Sequence, residues 1–394
     1  MTLFDNIPRD DEGPASYAEP QFNYLNRSAR GDVAKVRKAL EDWFSCYPDE
    51  ARTALLGNFR SPNDNQHRSA FFELFLYELL LSLGCRVEIH PEPSKAKKTR
   101  PDFRVHSPTN NHFYLEAVLA TDESDEEAAA RARLNTFYDA IDRMDSPNFF
   151  IGVDVEGEPK TPPPAKTIRG FLTQRLAGLD PDEIGRLIES DGFDALPRWR
   201  FRYPGCVVEF YPIPKSPELR GKSSVRPIGM QSGGGGWIES RTSIRDAIVR
   251  KAGRYGDLDL PYVVAVNALG VHVNGIDIME ALFGKEQFTF NISVSSEPKM
   301  SRVPDGVWTS QRGPRYTRVS GVLIAIQLLP WSVPKTSVRL YHNPWATKPY
   351  KGELKRLPSA IANRLENRME QLGGESLGAI FSLPPLWPSN ASYE

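Results

Sequence analysis

The chain has 394 residues, 40% of them hydrophobic and 25% charged, with a formal net charge of -1. That length predicts two or three packed units rather than one core, and the near-neutral balance excludes a global basic field, so any nucleic-acid contact must come from a local surface. Three widely spaced cysteines (Cys46, Cys85, Cys206) with no Cys-x-x-Cys pair exclude a zinc ribbon and argue against a disulfide framework.

The opening MTLFDNIPRDDEG has neither a basic n-region nor an apolar h-region, and no apolar run reaches membrane-spanning length; the expectation is a soluble, cytoplasmic protein. Residues 1–30 read as a polar arm. Asp32 is placed to cap a helix over VAKVRKALEDWFSCY, and DEARTALLG at 49–57 reads as a second, so that 1–60 forms an arm and helical segment. A block over 61–160 follows: a helix at 66–83, strands near 85–90, 102–106 and 113–119, a helix at 123–144 and an apolar strand at 148–155. The step from the third strand through a helix to the fourth predicts a crossover with parallel neighbours. From 161 to 394 the pattern is mixed, then β-rich. It holds helices at 167–177 and 181–190, a strand over 199–212, and a glycine-rich loop at 229–236. Further on come a helix IRDAIVRKAGRYG capped by Ser243, apolar strands at 262–267 and 319–328, and a last helix at 358–372.

The chemistry concentrates in the second block. The helix at 66–83 is apolar on most sides, and its polar residues Gln66, Ser69, Glu73 and Tyr77 follow offsets of three, four and four, which form one stripe. An ionised Glu73 on a buried helix needs an arginine, solvent or a cation. Gly84 is a natural helix stop. Asp102 and Glu116 each lie seven residues from Thr109 in the polar turn Ser107–Asn111. A hairpin centred there sets them opposite one another, about 4.5–5.5 Å apart at Cβ. Like charges so placed repel unless one takes a proton or a cation intervenes, and Mg²⁺ suits two carboxylates completed by water and phosphate oxygens. Read from the residues alone, the pair is either a metal site or a structural turn, and a one-residue slip would turn Glu116 to the other face.

Pro101-Asp102, Glu116-Ala117-Val118 and the acid-bearing helix resemble the motifs of the PD-(D/E)XK nuclease superfamily, whose restriction-endonuclease-like fold has an α-β-β-β-α-β core with a mixed sheet. The resemblance covers about residues 66–155. It implies metal-dependent phosphodiester hydrolysis, with Asp102, Glu116 and Glu73 as metal ligands, Mg²⁺ or Mn²⁺ as cofactor, DNA rather than RNA as substrate, and a restriction or phage-defence setting. A homodimer or a partner protein stays open. Val118 stands where the family has its catalytic lysine. Either the cation has moved in sequence, with Lys98 in the basic run 95–100 as the candidate, or the chain is an inactive nucleic-acid-binding or assembly protein on a degraded nuclease fold.

Two basic stretches are candidate nucleic-acid contacts. Arg198, Arg200 and Arg202 alternate with Trp199, Phe201 and Tyr203, which in a strand puts cations on one face and rings on the other. Residues 300–356 hold ten basic side chains against two acids, Arg312, Arg315 and Arg318 among them, interleaved with aromatics. The acidic run 122–127 reads as the favourable start of a helix. Gly221-Lys222-Ser223 lacks the upstream glycine of a P-loop. His67 reads as a helix-end hydrogen-bonding group.

Overall fold

The computed structural model describes the chain except residues 93–99, 223–225, 234–239, 290–298, 364–367 and 390–394. It is a mixed α/β protein whose described residues fall into two compact units, one made of 1–13, 20–122 and 238–394, the other of 14–19 and 123–237.

The first unit begins with four helices: α1 (Gln21–Arg27), α2 (Gly31–Cys46), α3 (Asp49–Phe59) and α4 (Asp64–Ser82). The N-terminal arm is not a loose polar tail. Leu3 and Phe4 are buried, and their N–H groups donate to the Glu41 carboxylate at 2.9 and 2.7 Å. Asp32 sits in the first turn of α2 rather than capping it. Asn63 caps α4 by accepting from the Asn65 and Gln66 N–H groups. The helix stops before Gly84, whose φ of 82° suits glycine. Strands β1 (Arg86–Ile89), β2 (Phe103–His106) and β3 (Phe113–Ala120) follow as an antiparallel meander.

The chain then enters the second unit, where the sequence reading needs correction. The expected crossover helix and strand exist, as α5 (Asp125–Asp142) and β4 (Phe149–Gly157), but neither joins β3. Helices α6 (Ala165–Ala177) and α7 (Pro181–Asp191) and strands β5 (Trp199–Tyr203), β6 (Cys206–Pro214) and β7 (Ile228–Gly233) complete this unit, with sheet order β5-β6-β4-β7. Its separate core includes Phe137, Ile141, Ile151, Val153, Leu172 and Phe210. The acidic run opens α5 through a capping box between Ser124 and Glu127. The single strand expected over 199–212 is a hairpin. Gly205 makes its turn at φ 86°, where a Cβ would lie 2.3 Å from the Glu158 carbonyl oxygen.

The first unit resumes with α8 (Ser240–Ala252), β8 (Tyr262–Ala268) and α9 (Gly275–Phe283), then two short ribbons, β9 (Glu286–Thr289) with β10 (Lys299–Arg302) and β11 (Thr309–Ser310) with β12 (Gly313–Pro314). Helix α8 starts at Ser240, ahead of the expected cap Ser243; the hydroxyls of both serines donate to the Asp122 carboxylate. Strands β13 (Val319–Ile326), β14 (Val338–His342), β15 (Ser359–Asn363) and β16 (Arg368–Leu372) and the short α10 (Leu377–Ile380) end the unit. The helix expected at 358–372 is the β15–β16 hairpin. The pattern around Ala360, Leu365 and Met369 is compatible with a helix, but β15 instead extends the sheet in parallel with β14, an instance of tertiary pairing overriding local preference.

The resulting sheet has eight strands in the order β1-β2-β3-β8-β13-β14-β15-β16. Strand β8 lies parallel to both β3 and β13 and is buried along its whole length, as its continuous apolar run requires. Leu115, Val263, Ala265 and Leu323 face the core shared with α1 to α4, whereas Tyr114, Val264, Val266 and Ile324 face that shared with α8 and α9. The step from β3 to a parallel neighbour through a helix therefore exists, with α8 and β8 in the places expected for α5 and β4. No helix of the described residues is long and apolar enough to cross a membrane.

Candidate active site

The β2–β3 register pairs Phe103 with Leu115 and Val105 with Phe113, which continues to Asp102 opposite Glu116. Each carboxylate accepts a backbone N–H from the other strand: Asp102 N donates to Glu116 Oε2 at 3.2 Å, and Ala117 N donates to Asp102 Oδ2 at 2.7 Å. The hairpin turn is held by Glu353, whose Oε1 accepts from the Ser107 and Thr109 hydroxyls. Turn-centred counting thus locates the pair correctly.

Glu116 is fully buried, and α8 and the segment after it supply its partners. Lys251 Nζ donates to Oε1 at 2.6 Å, Arg254 reaches the same oxygen at 3.5 Å, and the Tyr255 hydroxyl lies 2.6 Å from Oε2. That hydroxyl is also 2.8 Å from the Arg100 carbonyl oxygen, two residues before Asp102. Glu116 is therefore charge-balanced, and Asp102 is the uncompensated member. Burial first, and Glu116 second, push the Asp102 carboxyl up to about 7, against the opposing pull of Lys251 and the Ala117 N–H. A buried carboxylate that resists ionising beside another is a pair suited to a divalent cation, and oxygen donors of this kind suit Mg²⁺ or Mn²⁺.

Position 118 is a valine, and a lysine from another element lies beside Glu116. Val118 shares the Glu116 face of β3, being two residues on, and both Val118 and Lys251 line one groove. The basic pair Arg250-Lys251 on the helix before an all-apolar strand was the sequence signal for it. Lys98, the sequence candidate, lies outside the described residues.

Glu73 approaches Asp102 from another element. It stands on α4, which packs against the opposite face of the sheet from α8, and its Oε1 accepts from the buried Tyr47 hydroxyl at 2.6 Å. The charge of Glu73 still helps to raise the Asp102 carboxyl. Among the described residues, no three His, Cys, Asp or Glu side chains group as a set that could hold a metal ion, so a metal here would rest on Asp102 and Glu116 with outside ligands.

The groove beside the pair has a volume of about 770 Å³. Among the described residues strand β2 pairs with β3 only as far as Leu115, and no strand covers β3 at 117–119 on that side, where these residues line the groove; β8 covers the other side. Gln66 and Ser69, from the polar stripe of α4, line one wall; Arg250, Lys251 and Arg254 line the other.

The basic stretches read from sequence are largely engaged elsewhere. Arg198 pairs with Asp154 and Glu209, and Arg200 with Glu156; Arg202 is exposed, and the rings of β5 turn toward the core as expected. Arg315 stacks over Tyr316 with 4.9 Å to the ring centre, and Arg318 donates to the Tyr255 carbonyl at 2.8 Å. Arg312 is exposed. Trp308, Tyr341 and Tyr350 are core residues rather than stacking platforms. His67 is fully buried, and its Nδ1 meets the Phe59 carbonyl at 2.6 Å, the helix-end role expected of it.

The site is thus two opposed carboxylates on an antiparallel hairpin, a lysine from the following crossover helix, and a cation-lined groove along a free strand edge. No family model, curated protein or solved structure matches the chain.

Proposed function

We propose that the first unit is a metal-dependent phosphodiesterase acting on nucleic acid, built on a restriction-endonuclease-like core whose crossover helix and fourth strand are α8 and β8. The observation that carries this reading is Lys251 Nζ at 2.6 Å from a carboxylate that directly opposes Asp102. A divalent ion bound by Asp102 and Glu116 would acidify a bound water and stabilise charge on the phosphate. The chain's own residues then have separate roles. Asp102, whose carboxyl is held up by burial and by Glu116, would be one oxygen ligand of the ion. Glu116 is held in place by Tyr255 and the Asp102 N–H. Lys251, 2.6 Å from Glu116, is the cation that would stabilise charge developing on the phosphate. Lys251 thus takes the part that Val118 cannot, and DNA in a restriction or defence setting is the substrate this reading favours.

The test is cleavage of plasmid and linear DNA in Mg²⁺ or Mn²⁺ by the wild type, Asp102→Ala and Glu116→Ala. Metal-dependent cutting lost in both variants supports the reading, and cutting that survives both sinks it. A second reading rests on Lys251 already neutralising Glu116 as a fixed cation would: binding of nucleic acid without cleavage. Salt-sensitive binding with no turnover in either metal would select it.

A further inference from the structure

The groove alongside the acids is larger than the scissile phosphate needs, and its lining is one-sided in charge. Arg250, Lys251 and Arg254 contribute three cations, Asn65, Gln66 and Ser69 contribute neutral polar groups, and none of the described residues lining it is a carboxylate. The three cations are not equivalent. Lys251 and Arg254 are drawn to Glu116 at 2.6 and 3.5 Å. Arg250 is exposed, and no carboxylate pairs with it among the described residues. Arg250 stands on the last turn of α8 and Arg254 just past its end, and both line the groove. A polynucleotide strand laid along the free edge of β3, with one phosphate at the acids, would bring its neighbouring phosphate toward Arg250. A planar guanidinium in such a place holds a phosphate by two parallel hydrogen bonds.

We propose that Arg250 anchors the phosphate next to the scissile one, so that the groove between α4 and α8 is the track for a polynucleotide backbone. The inference deepens the phosphodiesterase reading and rests on it for the position of the scissile phosphate, but the two can fail separately. Without acids in its lining, the groove favours any phosphate, and the polymer is distinguished from a small phosphorylated ligand by how binding depends on salt. Each phosphate neutralised contributes about 0.7 to the slope of log affinity against log salt for a single strand and about 0.9 for a duplex.

The experiment is fluorescence anisotropy in EDTA with labelled single-stranded and duplex oligonucleotides, across a salt series, for wild type, Arg250→Ala and Arg250→Lys. The expected result is an affinity about tenfold weaker for Arg250→Ala, with a slope smaller by about one phosphate, while the Mn²⁺-induced rise in melting temperature is unchanged. Arg250→Lys should keep the slope, because it keeps the charge, and regain only part of the affinity. An Arg250→Ala variant with the wild-type slope and affinity overturns the proposal, as does a wild type that binds neither oligonucleotide. Inorganic pyrophosphate binding as tightly as the oligonucleotides, and equally lost in Arg250→Ala, would reassign the groove to a small phosphate ligand and also overturn it. An Arg250-dependent slope without any cleavage would leave the anchor standing and defeat the hydrolytic reading.

Discussion

The Asp102–Glu116 pair predicts a substitution that stabilises the fold while removing the site. In the folded chain the Asp102 carboxyl is pushed up from 3.8 to about 7 by burial and by Glu116. Between those values the folded protein holds a proton that the unfolded chain has released, so this group's contribution to stability falls as pH rises from about 4 to about 7 and is fully lost above that. At about 1.4 kcal/mol for each pH unit, the penalty approaches about 4 kcal/mol at pH 8.5. Asp102→Asn removes it: the amide is neutral at every pH, and its oxygen can still accept the Ala117 N–H that Asp102 accepts at 2.7 Å. Melting followed by circular dichroism in EDTA should therefore show the variant more stable at pH 8.5, by up to about 8 °C at roughly 2 °C per kcal/mol for a unit of this size. The gap should close on lowering the pH toward 4. Added Mg²⁺ or Mn²⁺ should narrow it at pH 8.5, because only the wild type gains from binding the ion. A variant no more stable than wild type at pH 8.5, or one whose advantage persists unchanged to pH 4, would refute the account of Asp102 as the uncompensated charge.

Three further outcomes test neighbouring parts of the structure. Lys251→Ala should lower cleavage about 10²–10³-fold, and Val118→Lys added to it should recover part of the loss, since both positions line the same groove; a double variant no better than Lys251→Ala would show that position 118 cannot reach the phosphate. Tyr255→Phe takes away a hydroxyl 2.6 Å from Glu116 Oε2 and should weaken Mn²⁺ affinity about 10–100-fold, measured by calorimetry, with an unchanged circular dichroism spectrum; unaltered affinity would make Tyr255 a packing residue only. Gly152→Ala in β4 would set a Cβ 2.1 Å from Tyr211 Cε2, and overpacking of that kind should cost about 1–3 kcal/mol in urea unfolding; wild-type stability would mean that the ring moves aside freely.

What the sequence made legible divides along a physical line. Facing residues on a tight hairpin are a local matter, so counting outward from Thr109 places Asp102 against Glu116, and helical spacing places Gln66 and Ser69 together on the groove wall. The long-range pairing of β3 is not local. Helix α5 and strand β4 have the period and apolar content of a crossover, and by those measures they pass as readily for it as α8 and β8. What separates them is partnership. Strand β4 has two neighbours of its own in β6 and β7, whereas β8, buried along its length, needs a strand on each side and finds β3 and β13. An all-apolar strand with no alternation is the signature of a central position in a parallel array, and YVVAVNA carries it more strongly than NFFIGVDV, whose Asp154 alternates out to meet Arg198. Weighing the two candidate strands by that criterion links β8 to β3. The helix leading into β8 then becomes the crossover, and its Arg250-Lys251 pair falls beside Glu116. The lysine beside Glu116 was thus recoverable from the burial pattern of a strand that carries no charge at all.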